Sequence, residues 1–403
     1  MAKKTLKSNS VFIYNKDFVT YQFGRQHPFN PLRVKITYDL LNAMGALEKE
    51  CIVSPKPALE SDLLLAHSKD YIDYIKDINN GPVDQDKAYN YGVGTEDIPI
   101  FDNMHQASSL IAGATLCAVN QVMEGKSEHA LNLIGGLHHA LYGKGSGFCV
   151  YNDIVIAIQH ILRNYNKKVL YIDTDAHHGD GVQWAFYDDP NVCTISIHET
   201  GKYIFPGTGA VHERGTEKGY SYTFNIPLEP FTEDDSFIKT YTESFEKIVE
   251  YFKPDIIISQ NGSDSHAYDP LTHLMLSMKS YEHIPKLAHK LAHKYCDGKW
   301  VALGGGGYDI FRVVPRAWAW IWLEMIEYEK ISKKMPTSWL EKWQPHSHYE
   351  IPTDWDDPNN LFEPIPRKGE IDYTNKITLR NALYSITKEI FNRFFDENNV
   401  VRW

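Results

Sequence analysis

Cysteine is scarce in this chain, and no two cysteines stand at redox or metal-ligand spacing. The five thiols (Cys51, Cys117, Cys149, Cys193, Cys296) are scattered over 403 residues. That odd, dispersed set excludes a disulfide framework and suits a reducing cytoplasm. No apolar run approaches the ~20 residues that cross a bilayer, and the first ten residues lack the apolar centre of a signal peptide. Positive charge is in deficit, with 41 Lys and Arg against 52 Asp and Glu for a formal net charge of −11. The balance argues against a nucleic-acid footprint and leaves room for a cationic ligand or peptide. There is no internal repeat and no low-complexity tract. The expectation is a soluble cytoplasmic protein with neither nucleic acid nor membrane as partner.

What the chain does have is alternation. Strand-like runs are predicted at 11–14, 131–134, 168–173, 192–197, 222–226, 255–260 and 300–303, with helices at 104–123, 153–165, 234–252 and 281–296. Phe237, Tyr241, Phe245, Ile248 and Phe252 form one stripe of the 234–252 helix. Length alone would suggest two or three domains. The alternation instead predicts a single three-layer α/β domain with a mostly parallel central sheet. After residue 329 the character changes to a segment carrying Trp339, Trp343, Trp355 and several prolines. Its aromatic content argues against a free linker, so 330–403 is expected to wrap the main unit, 1–329, and to bring a last helix, 376–395, back onto it. His346 and His348 are expected on the surface of that segment.

The chemistry concentrates where apolar runs end. The run Val169-Leu170-Tyr171-Ile172 leads into Asp173, Asp175, His177, His178 and Asp180. Alternate residues of a strand share a face, so Asp173, Asp175 and His177 are predicted to project together. Mixed carboxylate and imidazole ligands suit a divalent ion, with Zn²⁺ a natural candidate. The plain alternative is a polar turn capping a strand, but so many ionisable groups at a buried strand end are costly unless paired or metal-bound. A second run ends in Gly135-Gly136-Leu137-His138-His139, a third in Asn261-Gly262-Ser263-Asp264, and a fourth in Gly304-Gly305-Gly306-Gly307-Tyr308. Open parallel sheets bind ligands at the carboxyl ends of their strands.

Taken together, these motifs with Tyr21, Gly24, His27, Pro28, Pro31 and Arg33, Gly147-Phe148-Cys149 and Phe205-Pro206-Gly207-Thr208-Gly209 resemble the zinc-dependent histone deacetylase family, within the arginase/deacetylase-like fold. The stretch Tyr91-Gly92-Val93-Gly94-Thr95-Glu96-Asp97 and the Trp-rich tail look most like the bacterial acetoin-utilisation deacetylases. The resemblance implies Asp175, His177 and Asp264 as ligands of Zn²⁺ or Fe²⁺, and His138 and His139 as an imidazole pair oriented by Asp173 and Asp180. It implies that Tyr308 donates a hydrogen bond to the substrate carbonyl and that Gly147, Phe148 and Phe205 line a tunnel for acetyl-lysine. Asp97 would grip substrate at the rim. A structural monovalent cation, K⁺, would sit near Asp173, Asp175, His177, Ser196 and Ile197. The implied activity is hydrolysis of N-acetyl-lysine in protein substrates to lysine and acetate, with acetyl-CoA synthetase as target. Eukaryotic-type corepressor binding is not expected, because Asn30 and Pro270 stand where class I enzymes carry basic residues that bind an inositol phosphate.

Several alternatives stay open on the residues alone. A binuclear-manganese ureohydrolase would use Asp-x-His-x-Asp, but here Gly179 takes the last position and His266 replaces the second carboxylate of a later Asp-x-Asp. An acetylpolyamine amidohydrolase would use the same catalytic set, although no further acidic gatekeeper for a distal ammonium is evident. A non-catalytic binding protein would not need Tyr308. The four-glycine run lacks the Lys-Ser/Thr of a phosphate loop and reads as close backbone packing. His289 and His293 share a helical face, but Lys290 stands where a zinc-protease helix carries Glu, so both are expected on the surface. Cys149 has no separate base, and Arg33 is expected near the catalytic floor, either for product exit or in a structural ion pair.

Overall fold

The computed structural model describes residues 9–329, 331–358, 361–363 and 365–387. The extreme amino-terminal residues read above for a leader, and the end of the anticipated 376–395 helix, lie outside them. Eight strands form one sheet: β1 (Ser10–Ile13), β2 (Ile52–Val53), β3 (His129–Asn132), β4 (Val169–Asp173), β5 (Val192–Glu199), β6 (Thr223–Leu228), β7 (Ile256–Gln260) and β8 (Trp300–Leu303). Their order is β2-β1-β3-β8-β7-β4-β5-β6, and every pairing is parallel. Strands buried on both faces read as continuous apolar runs rather than alternating ones. Accordingly β4, β7 and β8 (VLYID, IIISQ, WVAL) are buried at every position.

Helices flank the sheet in two groups. Met104–Met123 packs on Asp153–Tyr165, whereas Leu32–Ala43, Val314–Met325, Met278–Tyr295 and Asp234–Phe252 form a series of neighbours. The helices at 104–123, 153–165 and 234–252 have the limits anticipated from periodicity, and the Phe237, Tyr241, Phe245, Ile248 and Phe252 stripe is buried. The 153–165 helix begins where the Asn152 side chain accepts from Val155 N–H, an N-cap that satisfies one of its free donors.

The described part of the segment after residue 329 packs against this body. Trp339 is buried and its indole donates to the Ile36 carbonyl at 3.0 Å. Its helix is Lys368–Ala382, beginning eight residues earlier than the anticipated start, directly after Pro366 and Arg367. Asn375 of that helix accepts from Glu229 N–H and donates to Thr232, fixing it beside the end of β6. His346 and His348 are exposed as anticipated. The strongest anchor is Asp357, which accepts from Arg316 (2.8 Å), from Met278 N–H (2.7 Å) and pairs with His266 Nε2 (3.0 Å), all in the interior. Burial opposes its charge, but His266 and Arg316 overcome that and hold its carboxyl well below the usual range.

Removing one partner of a buried ion pair strands the other charge at a cost of about 3–5 kcal/mol. We expect Asp357→Ala to lose stability on that scale, and Lys334→Ala, which deletes an exposed pair with Asp354, to lose far less. The Asp357 contribution should be complete above the ordinary carboxylate range and fade as pH falls below it, since the folded-state pKa is depressed. Chemical denaturation of both variants at neutral and acidic pH reads the contrast, and equal losses would rule out a privileged anchor.

Candidate active site

Strands β3, β8, β7 and β4 are neighbours in the sheet, so their carboxyl ends deliver the motifs to one place. The route differs from the pleat-based expectation at one point. β4 ends at Asp173, so Asp175 and His177 lie beyond the strand. Their alignment comes from successive side-chain turns: Asp173 Oδ1 accepts from Asp175 N–H, and Asp175 Oδ1 accepts from His177 N–H, each at 3.0 Å. Aspartates commonly fold the backbone back in this way.

Asp175, His177 and Asp264 come together as anticipated, with one ligand atom of each lying within 4.8 Å of the others. His177 Nδ1 is 3.2 Å from Asp175 Oδ1 and 3.0 Å from Asp264 Oδ2. All three are buried. Burial, joined by the Asp175 charge, pushes Asp264 up to about 7. Burial also opposes ionisation of Asp175, but His138 and His177 hold its carboxyl well below the ordinary range. Two buried carboxylates that compete for one imidazole are chemically suited to a divalent cation.

The supporting groups were not singled out in the sequence. Gln260 Nε2 donates to Asp175 Oδ2 at 2.7 Å, and Gly306 N–H donates to the same oxygen at 2.6 Å. A Cβ on Gly306 would stand 2.2 Å from Asp264 Oδ2, so the glycine run is indeed a close backbone approach to the site. Asp269 accepts from Tyr308 N–H at 2.8 Å and fixes where the tyrosine starts. Asp153 accepts from Gly136 N–H, Leu137 N–H and Thr115, bracing the turn before the paired histidines. These residues carry no motif of their own, and only their proximity reveals them.

His138 and His139 lie side by side with ring centroids 3.9 Å apart and their planes tilted by 54°. His138 Nδ1 meets Asp173 Oδ2 and His139 Nδ1 meets Asp180 Oδ1, both at 2.7 Å. Asp173 Oδ2 also accepts from the Tyr171 hydroxyl at 2.6 Å. Burial disfavours both imidazolium forms, but the balance falls differently. The charges of Asp173 and Asp175 carry His138 up to about 9, whereas burial and the adjacent His138 push His139 down to about 4. Burial, with Asp264 and Asp175 nearby, raises the Tyr308 phenol well above its ordinary value, so it remains a donor.

The remaining anticipated residues lie around this pit. The Phe148 ring is 5.9 Å from that of Tyr308, and the half-exposed Phe205 ring is 4.9 Å from His139. Gly147 has φ +54° and a Cβ there would meet the His139 ring at 2.3 Å. Asp97 accepts from Gly147 N–H at 2.8 Å, and the Tyr21 hydroxyl donates to the Phe148 carbonyl at 2.7 Å, so the amino-terminal motif braces the rim. Asp173 and Ser196 are register partners across β4 and β5, with Ile197 the next residue. Arg33 is buried beneath the site, donates to the Gly307 carbonyl at 2.8 Å and packs on Phe29 and Trp318. Its guanidinium thus rests on a carbonyl and two rings. Cys149 donates to the Gly147 carbonyl, and burial pushes its thiol well up, which disfavours a nucleophile.

The geometry weighs against the binuclear alternative. A Cβ at Gly179 would lie 2.3 Å from Asp173 Oδ2, leaving no room for a bridging carboxylate, and His266 is turned to Asp357.

Comparison with known proteins identifies the family. Residues 27–325 match the histone deacetylase domain. The acetoin utilization protein AcuC of Bacillus subtilis (strain 168) is 54% identical over 381 residues, covering 94% of this chain and 98% of that protein. AcuC of Staphylococcus xylosus is 43% identical over 370 residues, covering 92% and 96%. The crystal structure of an HDAC homolog from Aquifex aeolicus superposes with a TM-score of 0.82 at 30% identity, covering 93% of this chain and 99% of the other. A structure of an HDAC homolog complexed with SAHA matches equally well. This chain therefore belongs to the histone deacetylase family, hydrolases that act on acetylated amides.

Proposed function

We propose that this protein is a zinc-dependent lysine deacetylase that hydrolyses N-acetyl-lysine in protein substrates to lysine and acetate. The observation that carries the reading is that two carboxylate-oriented histidines stand beside a buried Asp175, His177 and Asp264 cluster, with His138 Nε2 3.9 Å from Asp175 Oδ2, and that Tyr308 and Phe148 meet close by. Asp175, His177 and Asp264 would hold Zn²⁺, or Fe²⁺ in its place. When bound, such an ion supplies Lewis acidity that polarises a carbonyl and lowers the pKa of water toward ~7.

The protein's own groups do the rest. Asp180 fixes His139 so that its Nε2 is free, and His139, neutral at physiological pH, takes the proton of the attacking water. His139 then passes that proton to the departing amine, while His138, kept cationic by Asp173, stabilises the developing negative charge. Tyr308 donates to the carbonyl oxygen as charge gathers there. Phe148 and Phe205 flank the lysine stem, Gly147 keeps the passage open beside His139, and Asp97 holds substrate at the rim. A monovalent K⁺ is assigned to Asp173, Asp175, His177, Ser196 and Ile197, of which Asp173 and Ser196 are register partners across β4 and β5.

Acetyl-CoA synthetase is our candidate for the acetylated partner, through release of a lysine on that protein. The net charge of −11 favours a protein partner over nucleic acid. None of the helices among the described residues is long and apolar enough to cross a membrane. All five cysteines are free, which fits a cytoplasmic setting. We assign residues 1–329 as the catalytic unit and 330–403 as an extension packed on it, without eukaryotic-type corepressor binding.

Acetate release from acetylated acetyl-CoA synthetase should be abolished by chelation and should exceed that from an acetylated polyamine. Asp175→Ala, His177→Ala and Asp264→Ala should each lose one equivalent of metal together with activity. Normal turnover in any two of them would sink the ligand assignment.

Tyr308→Phe should keep metal and fold while losing roughly 10²–10³ in turnover, the scale for one oxyanion donor. A loss below about threefold, well under 1 kcal/mol of barrier, would assign carbonyl polarisation to another group.

His139→Ala should depress turnover more than His138→Ala, with metal retained in both. A base must be deprotonated to act and a cation protonated, so His139 should govern the acidic limb of a bell-shaped pH–rate profile and His138 the alkaline limb. Equal losses and identical profiles would refute this division.

A further inference from the structure

The end of the sheet opposite the catalytic pit holds a second cluster of ligating groups. His129 opens β3, and His289 and His293 stand one helical turn apart on Met278–Tyr295. The His129 ring centroid is 4.7 Å from that of His289 and 5.1 Å from that of His293. One ring nitrogen from each lies within 4.8 Å of the others. The expectation that His289 and His293 are both surface residues is therefore half wrong. His293 is exposed, but His289 is 7% exposed because its ring packs against His129 of β3 and Trp300 of β8.

Two further observations point to a ligand. His129 is 0% exposed, and neither of its ring nitrogens has a hydrogen-bond partner. Leaving a buried polar group unsatisfied costs about 1–3 kcal/mol. His289 is arranged as metal-binding histidines usually are: Glu324 Oε1 holds its Nδ1 at 3.0 Å, and its Nε2 faces inward, 2.9 Å from His293 Nε2. Such a nitrogen pair can share one proton between them and still leaves His129 without a partner.

We propose that His129, His289 and His293 form a second metal site that ties the 278–295 helix to β3, with His293 at its solvent-facing side. Three imidazoles select a transition ion such as Zn²⁺, Ni²⁺ or Cu²⁺ over Mg²⁺ or Ca²⁺, which prefer oxygen. Nitrogens ~2.0–2.1 Å from an ion sit ~3.3 Å apart in tetrahedral geometry, so the close His289 and His293 pair need open only slightly. The exposed side of His293 gives the ion a route in and leaves a fourth position for water. The site's role is structural: an ion that binds only the folded chain stabilises it by mass action.

The test uses the full chain, stripped by chelator and dialysed against Zn²⁺ alone. The wild type should hold two ions per chain, and His293→Ala one, with acetyl-lysine turnover within about twofold of wild type. In the Asp175→Ala/His177→Ala background one ion should remain, Zn²⁺ should raise the melting temperature, and adding His293→Ala should abolish both effects. A single ion in the wild type that Asp175→Ala/His177→Ala removes, or a stoichiometry that His293→Ala does not lower, would overturn the site. If that background does not fold, the His293→Ala difference in the wild-type chain decides alone. Failure of the catalytic metal assignment would read differently, since Asp175→Ala/His177→Ala would then leave the stoichiometry unchanged while His293→Ala still lowered it.

Discussion

The structure depends on carboxylates gathered in the dry carboxyl edge of one parallel sheet. Asp173, Asp175, Asp264 and Asp269 are all buried there, where an unpaired charge is strongly disfavoured. Each is matched by specific donors: Tyr171 and His138 for Asp173, Gln260 and Gly306 N–H for Asp175, Ala176 N–H and His177 for Asp264, Tyr308 N–H for Asp269. Those demands explain the loops. Glycines stand where any side chain would push a carboxylate away, and polar residues without motif status stand where a donor is required. The elevated Asp264 marks where donors fall short of the accumulated negative charge, and a cation there would complete the balance.

The same economy makes two adjacent histidines unlike. Both are buried and both have a carboxylate partner, yet His138 also lies 3.9 Å from Asp175, whereas His139 meets mainly its neighbour's positive charge and the ring of Phe205. Rings with centroids 3.9 Å apart cannot both carry a proton cheaply. The first proton settles on the residue nearer the carboxylates and thereby empties the other. A neutral base and a cationic partner follow from position alone, with no difference in residue type.

Legibility in the sequence tracked physical cause closely. The 104–123, 153–165 and 234–252 helices are readable because apolar periodicity marks them, and the site motifs are readable because each ends an apolar run. Val314–Met325 escaped notice since its residues are buried around nearly its whole circumference, which leaves no polar face to give a period. β2 is two residues long and too short to signal itself. Asp153, Gln260 and Asp269 are ordinary polar residues until folding sets them against the site. His289 was misjudged because the helical pair was compared with a protease motif from its own helix, while the missing third imidazole arrives from β3, 160 positions earlier in the chain.

The carboxyl-terminal extension belongs to the same electrostatic problem rather than to its periphery. Asp264 is followed two residues later by His266, whose Nε2 is held by Asp357 of the extension. Asp357 in turn is fixed by Arg316 and by the start of the 278–295 helix at Met278 N–H. In the ureohydrolase pattern that second position is a carboxylate serving a second ion. Here the imidazole is turned away from the pit and spent on docking the tail. One substitution therefore does two things: it removes a ligand that would complete a binuclear centre, and it couples the loop that carries Asp264 to a buried ion pair. Ligand geometry must be held within a few tenths of an ångström for an ion to be bound and used. An extension anchored two residues from a proposed ligand is well placed to supply that stiffness: Trp339, Trp343 and Trp355 pack into the fold, while the buried side chain of Asp357 ties the extension to the loop that carries Asp264.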